Sequence, residues 1–424
     1  MSSERLDVLF VSLFPPSPPT FGAQRRIEGL MTALGRRHRV TAVSLVGPEL
    51  DARVAERAMG RYCDDVVLVP ARADRGARKR LVQLRALASS RSFEHHQYRV
   101  PGLQRALDEV LRRRRHHLVT IEAPFLSRYR LRQAPPGAPP PRLLLDQHNL
   151  EHDLVRRSRD ASRGVLRRLH YAVDWRKVRR EEIAAWRDAD GVAFTSTDDA
   201  ERARSLFPAL RAAVIPNGVD VEHFEPRPDL PVDADEIVFF GTLNYFPNQD
   251  GMAHFLGDIW PRLSASSARA RLKVIGSHPT VEVLSHRGPR VEVAGCVEDV
   301  RPHLAHAGVV VVPLRVGGGT RFKILEAMAM GKPVVSTTIG AEGIGAVDGR
   351  DLLIADGPEA FAAAVRRVIE DADLARRLGA AGRALVERRY SWRAIGVELE
   401  RLVRALLERA PAPGSDLEAA ADAG

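Results

Sequence analysis

The sequence predicts an α/β protein of two doubly wound, Rossmann-like domains with parallel sheets, facing each other across a cleft. Three observations lead there. A strand, a Gly/Pro-rich loop and a helix follow one another twice, as LDVLFVSLFPPSPPTFGAQRRIEGLMTAL near the start and as EIVFFGTLNYFPNQDGMAHFLGDIWPRL from Glu236. The remaining apolar runs are short and continuous rather than alternating, which is the pattern of strands covered on both faces. A chain of 424 residues is also long enough for two cores.

In chain order, the first half offers strand runs at Leu6 to Leu13, Val40 to Val46, Asp65 to Val69, Leu118 to Ile121 and Leu143 to Leu145. Residues 151–187 form a long, Arg-rich, partly amphipathic stretch, read as a solvated helix with membrane-surface contact as the alternative. EHFEPRPDLPVDADE has three prolines and many acids, the composition of an exposed linker. The second half repeats the strand pattern at Glu236, Leu272 to Ile275, Val291 to Ala294, Val309 to Pro313 and Val334 to Ser336. Ser391 to Arg409 is an amphipathic helix. The expected domains are residues 1–215, residues 216–390, a C-terminal helix at 391–410 packing back on the first domain, and a disordered tail at 411–424.

Composition narrows the function classes. With 45% hydrophobic and 28% charged residues the chain reads as an ordinary soluble protein. The apolar start is too short to span a membrane and has no signal-peptide cleavage pattern, so a cytoplasmic location is expected. Cys63 and Cys296 have neither disulfide nor zinc spacing and are expected to be buried small hydrophobes. The net +10 is uneven: residues 1–215 hold 40 Lys and Arg against 25 Asp and Glu, or +15, and residues 216–424 hold 24 against 29, or −5. Such Arg skew is either a genome's stamp or the sign of a first domain meeting an anionic partner, a membrane surface above all. No nucleic-acid partner is expected, because the basic stretches are not interleaved with aromatics.

The most informative stretch is VGGGTRFKILEAMAMGKPVV, Val316 to Val335. Its glycines come just past the strand GVVVVPL, where open α/β sheets bind ligands. The helix that follows stops at Gly331, with Pro333 enforcing the exit. Arg321 and Lys323 stand where the first-turn N–H groups are already positive, so acids would be favoured there. A diphosphate ligand resolves the conflict: Gly317, Gly318 and Gly319 let the backbone approach it, and Thr320, Arg321 and Lys323 surround it. The alternative is a turn before a solvated helix, with Lys323 and Glu326 as a surface pair. Glu326, halfway along an apolar helix, suits the two hydroxyls of a ribose. A nicotinamide dinucleotide site is excluded for want of G-x-G-x-x-G between strand and helix, Walker A is absent, and no D-x-D offers an obvious metal clamp.

IPNGVDVEHFEP, FFGTLNYFPNQDG, VVPLRVGGGTRFKILEAMAMGKPVVST and GAEGI, in this order, resemble the retaining nucleotide-sugar glycosyltransferases of family four (glycosyl transferases group one), which have the GT-B fold of two Rossmann-like domains. The likeness covers almost the whole chain and is strongest from Ile215 to Gly345. It implies a donor nucleotide sugar held mainly by the C-terminal domain, an acceptor held mainly by the N-terminal domain, and no metal or other cofactor. Glu326 matches the second glutamate of the family's E-x7-E signature, which binds the ribose. The first falls on Gly318 and is missing. Where the family has Arg and Lys after the first C-terminal strand, this chain has Thr242, Leu243 and Asn244, following Gly241; Arg321 and Lys323 would supply that charge from the other side.

In the N-terminal half, PPTFGAQRR looks like the family's glycine loop, with Gly22 kept and Arg26 placed near the donor phosphates. LLLDQHNLEH puts His148 just past a strand end, similar to the histidine lining the family's active-site cleft. His148 and His152 lack the H-E-x-x-H pattern of a metal pair. Asn217 and Gly218 read as a turn, and Asn248 as a helix N-cap.

The expected activity is a hexosyltransferase moving sugar from a nucleoside diphosphate to an acceptor hydroxyl on a glycan, a lipid-linked or a small-molecule acceptor, with retention implied by the resemblance. His148, Arg321 and Lys323 are the candidate catalytic residues. Helix N-terminus, loop amides and the two cations would stabilise charge developing on the departing diphosphate. A nucleotide-sugar epimerase of GT-B fold and a non-catalytic nucleotide-sugar-binding protein are the alternatives. A peripheral position on the inner face of the membrane is the refinement of the cytoplasmic expectation.

Overall fold

The computed structural model describes residues 5–19, 21–71, 76–161, 164–317 and 320–408. Gly318, Gly319 and the expected tail at 411–424 lie outside the described residues. The chain divides into two compact units, Met1–Ile215 with Gly396–Gly424, and Pro216–Ile395.

The first unit holds a parallel sheet of β1 (Asp7–Ser12), β2 (Arg39–Val46), β3 (Asp65–Pro70), β4 (Leu118–Ile121), β5 (Arg142–Gln147), β6 (Gly191–Phe194) and β7 (Ala212–Val214), in the order β3-β2-β1-β4-β5-β6-β7. Winding reverses between β1 and β4, which pair in register Val8 to Leu118 through Val11 to Ile121. Leu9, Val11, Val119, Ile121, Leu143 and Leu145 pack on one face with Trp186 and Phe194. The last helix, Trp392–Glu408, belongs to this unit from Gly396 on, where Glu400 meets the buried His38 at 2.6 Å.

The second unit's parallel sheet comprises β8 (Asp233–Phe240), β9 (Arg271–Ile275), β10 (Val291–Gly295), β11 (Ala307–Val312), β12 (Val334–Ser336) and β13 (Leu353–Ile354), ordered β10-β9-β8-β11-β12-β13. Here the reversal lies between β8 and β11. Continuous apolar runs are needed because both faces are covered: Ile237, Phe239, Val309 and Val311 enter one core, while Val238, Phe240, Val310 and Val312 enter the other. The segment read as a linker thus ends inside β8. Two parallel sheets flanked by helices bear out the predicted fold class.

The helix Phe322–Ala329 closes as the sequence suggests. Gly331 takes φ +66°, its N–H reaches the Met328 carbonyl at 2.9 Å, and the Lys332 N–H reaches that of Ala327 at 3.0 Å, a Schellman closure that needs glycine. One cysteine departs from expectation. Cys63 is buried, but Cys296 is exposed, lying just past the end of β10.

Candidate functional site

In the second unit the chain leaves β8 and β11, the two strands at the reversal, into the two loops singled out from sequence. This is where open α/β sheets leave a crevice at their strand ends. After β8 come Gly241, Thr242 and the exposed Asn244. After β11 come Gly317, Thr320 and Arg321, and then the helix Phe322–Ala329, for which Arg321 is the N-cap residue. Only Lys323 of the two cations therefore lies inside the first turn.

Lys323 joins the two loops. Its Nζ donates to Asn248 Oδ1 at 2.8 Å and stands 4.1 Å from the centre of the Phe239 ring. Asn248 Nδ2 donates in turn to the Thr242 carbonyl at 2.8 Å. Gly241, at φ +142°, passes so near that a Cβ there would lie 2.9 Å from Lys323 Nζ. A side chain at Gly241 would thus push the lysine off its seat. Asn248 is not the expected N-cap: Tyr245 caps the helix Phe246–His254, and Pro247 occupies its first turn, which carries Asn248 inside the helix.

Arg321 lies against Gly317. A Cβ on Gly317 would come 2.8 Å from its Nη2, and that nitrogen donates to the Ile339 carbonyl at 3.1 Å, with the Glu342 carboxylate 4.0 Å away. The Asn217 amide donates to the Thr320 carbonyl at 3.2 Å and ties the PNG turn to the same loop. Glu326 is buried, only 4% exposed, so the surface pair with Lys323 is ruled out.

Burial pushes the Lys323 amine down to about 7, and the neighbouring Arg321 charge adds to the effect. An anion arriving between the two would favour the ammonium form. Above pH 7, diphosphate binding is therefore expected to take up a proton, and affinity to fall by up to about tenfold per pH unit from pH 7 to pH 9. Calorimetric titration with GDP and UDP in buffers of different ionisation enthalpy reads the proton directly. The slope should vanish in Lys323→Met, and a flat wild-type profile would place the diphosphate away from this amine.

In the first unit the corresponding strand ends carry a cluster of ionisable groups. The Leu13 N–H, just past β1, donates to Glu122 Oε1 just past β4 at 2.5 Å, closing the reversal point. Gly22 opens the helix Gly22–Gly35 with Phe21 as N-cap. From that helix Arg26 reaches Asp146 on β5, Nε at 3.1 and 3.0 Å from the two carboxylate oxygens and Nη2 at 2.5 Å from Oδ1, both side chains almost completely buried. Arg26, expected beside donor phosphates, thus directs its guanidinium to a carboxylate of its own unit. Its charge is already neutralised inside the unit, and turning outward would strand Asp146.

His148, half-buried past β5, has Nε2 2.9 Å from Asp146 Oδ2. His152 is turned to Glu182, which also accepts from the Glu151 N–H at 2.8 Å and from Gln147 Nε2 at 2.9 Å. The segment around His148 is therefore fixed from one buried carboxylate on the helix Val165–Asp188. Asp146 and Glu122 escaped the sequence reading, where the signal for Asp146 was D-Q-H at a strand end, and Asn248 was read as a cap and not as the partner of Lys323.

Residues 234–371 match the family described as Glycosyl transferases group 1, in line with the resemblance carried by the motifs. A GDP-mannose-dependent alpha-(1-6)-phosphatidylinositol monomannoside mannosyltransferase from Mycolicibacterium smegmatis is 28% identical over 242 residues, 51% of this chain and 62% of that protein. Its Mycobacterium tuberculosis counterpart is 28% identical over 58% of this chain and 70% of its own length. The aligned part of this chain thus spans less than two thirds of the first relative. Among solved structures, sucrose-phosphate synthase from Thermosynechococcus elongatus aligns over 95% of this chain and 99% of its own, with TM-score 0.67 and 20% identity. TarM aligns over 96% and 100% with TM-score 0.69 and 10% identity, and Anabaena HepE in complex with UDP-glucose over 95% and 100% with 0.64 and 15%. These likenesses give the fold, GT-B.

Proposed function

We propose that this chain, which carries the glycosyl transferases group 1 segment in a GT-B fold, is a hexosyltransferase that moves a sugar from a nucleoside diphosphate to an acceptor hydroxyl with retention. One observation carries the reading: the loops after β8 and β11 converge at the reversal of the second sheet, with Lys323 bridging them, Arg321 against Gly317 and Glu326 buried one turn further on. The diphosphate lies against Gly317, Gly318, Gly319, Thr320, Arg321 and Lys323, with Gly241, Thr242 and Asn244 on the other side. Glu326 takes the ribose. As the glycosidic bond breaks, charge grows on the leaving phosphate, and Arg321 and Lys323 are already in place to meet it. The same two cations supply what a divalent metal would, so turnover should survive EDTA.

The names of the relatives suggest the first pair to try, GDP-mannose as donor and a phosphatidylinositol mannoside as acceptor. Thermal shift across GDP-, UDP-, ADP- and dTDP-sugars finds the donor, since binding raises the melting point. Product analysis with and without a lipid-linked acceptor then decides. Mannosyl transfer supports the reading, an epimerised sugar without acceptor replaces it, and binding without turnover, which the glycine at position 318 would favour, reduces it to nucleotide-sugar binding.

A lipid acceptor fits the first unit's surface. The helix Gly76–Ala88 buries Val82 and Ala86 but exposes Leu81, Leu84 and Leu87 beside the exposed Lys79, Arg80 and Arg85. Lys177 Nζ donates to the Ala86 carbonyl at 2.6 Å, which sets this helix beside the helix Val165–Asp188, whose Val165 and Leu169 are also exposed. Among the described residues no helix is long and apolar enough to cross a membrane. Apolar residues flanked by cations suit the surface of an anionic bilayer instead. The protein should sediment with vesicles containing phosphatidylglycerol and not with pure phosphatidylcholine. Leu84→Glu with Leu87→Glu should release it; unchanged binding by that variant would move the contact elsewhere.

A further inference from the structure

We propose that Asp146 is a positioning residue: in the neutral form of the His148 ring it places the proton on Nε2 and so leaves the Nδ1 lone pair to accept a hydrogen bond from a sugar or acceptor hydroxyl. The tautomer stands on this unit's own geometry, and only the hydroxyl clause rests on the transferase reading above.

Asp146 Oδ2 lies 2.9 Å from His148 Nε2. An ionised carboxylate has no proton to give, so the hydrogen between them must come from the ring. What keeps the carboxylate ionised inside the unit is Arg26, whose guanidinium touches both oxygens. Burial alone would raise the Asp146 carboxyl; the Arg26 charge and the hydrogen bonds from His148 and Arg26 overcome that and hold it down at about 2. Glu122, a second buried carboxyl past β4, behaves differently: burial pushes it up to about 7, and its Oε1 is occupied by the Leu13 N–H. The ring's strong acceptor is therefore Asp146 and not Glu122. The backbone is pinned as well, since Thr195 Oγ1 donates to the His148 carbonyl at 3.3 Å. An unoriented imidazole would divide its time between tautomers and offer a hydroxyl an acceptor only part of the time. This one is held as an acceptor, as the partners of metal-bound histidines hold theirs.

Long-range ¹H–¹⁵N NMR of the full chain tests this, with the His148 signal assigned by its loss in His148→Gln. The wild-type ring is expected to carry its proton on Nε2. A carboxamide at position 146 would accept from Arg26 through oxygen and turn its NH₂ to the ring, so Asp146→Asn should move the proton to Nδ1. A wild-type ring protonated on Nδ1, or a folded Asp146→Asn with an unchanged tautomer, overturns the proposal; if that variant does not fold, the wild-type spectrum alone decides. A second arm uses mannosyl transfer from GDP-mannose. Asn places an amide near the Nδ1 position and Gln near that of Nε2, so His148→Asn should retain about tenfold more activity than His148→Gln, the worth of one hydrogen bond. Equal losses would remove the hydroxyl clause and leave the tautomer to the spectrum.

Discussion

Arg26→Met is expected to destabilise the first unit by about 3–5 kcal/mol, the cost of leaving a buried carboxylate without its partner. The two side chains are 1% and 2% exposed, so no water replaces the lost guanidinium. Asp146 then has two poor choices. It can stay charged in an apolar surrounding, or take up a proton and lose its grip on His148. Hydrogen exchange of peptides from β1 and β5 reads this unit by itself, which matters because a chain of two units need not unfold in one step. The Arg26→Met/Asp146→Leu double variant should recover most of the loss, since replacing both charges by packed apolar groups is often neutral. Additive losses would mean that the two side chains do not depend on each other, and the unpaired carboxylate would not be the source of the cost.

That contact also marks where reading the sequence ends. Strands β1 to β5 and β8 to β12 were legible because each is a continuous apolar run, and the alternation of Ile237 to Phe240 between two cores explains why continuity was required. Strands β6, β7 and β13 are four, three and two residues long. Strands β4 and β12 are as short, but LVTI and VVS are built mostly of β-branched residues. GVAF and AAV are half or more Gly and Ala and become strands because a neighbour pairs with them, as does the two-residue β13. The second unit's loops were legible for a similar reason as the long strands, since glycines after a strand and cations before a helix state their conflict locally. Arg26 and Asp146 are 120 positions apart, and composition alone assigns a loop arginine to a phosphate as readily as to a carboxylate. Asn248 failed differently. An Asn after a Pro looks like a cap, but the proline fits the first turn, where no N–H is needed, and so the helix starts before it.

Glu326→Gln should weaken nucleotide-sugar binding by about 1.5–3 kcal/mol, roughly ten- to 150-fold in affinity, if its carboxylate holds the ribose through hydrogen bonds to a charged group. The position argues for this. Glu326 is 4% exposed on the helix that follows the glycine loop, one turn past Lys323, where its neighbours Ile324, Leu325, Ala327 and Met328 are fully buried. Glutamine keeps the shape and removes the charge, so the loss should fall on the ligand more than on the fold. Binding alone does not separate a ribose contact from a general disturbance of the helix, and a cycle with 2′,3′-dideoxy nucleotide does. Wild type should lose affinity on removal of the ribose hydroxyls, and Glu326→Gln should bind both nucleotides with nearly the same reduced affinity. If the variant still discriminates between them as wild type does, the hydroxyls are held by another group, and Glu326 serves the helix that carries Lys323.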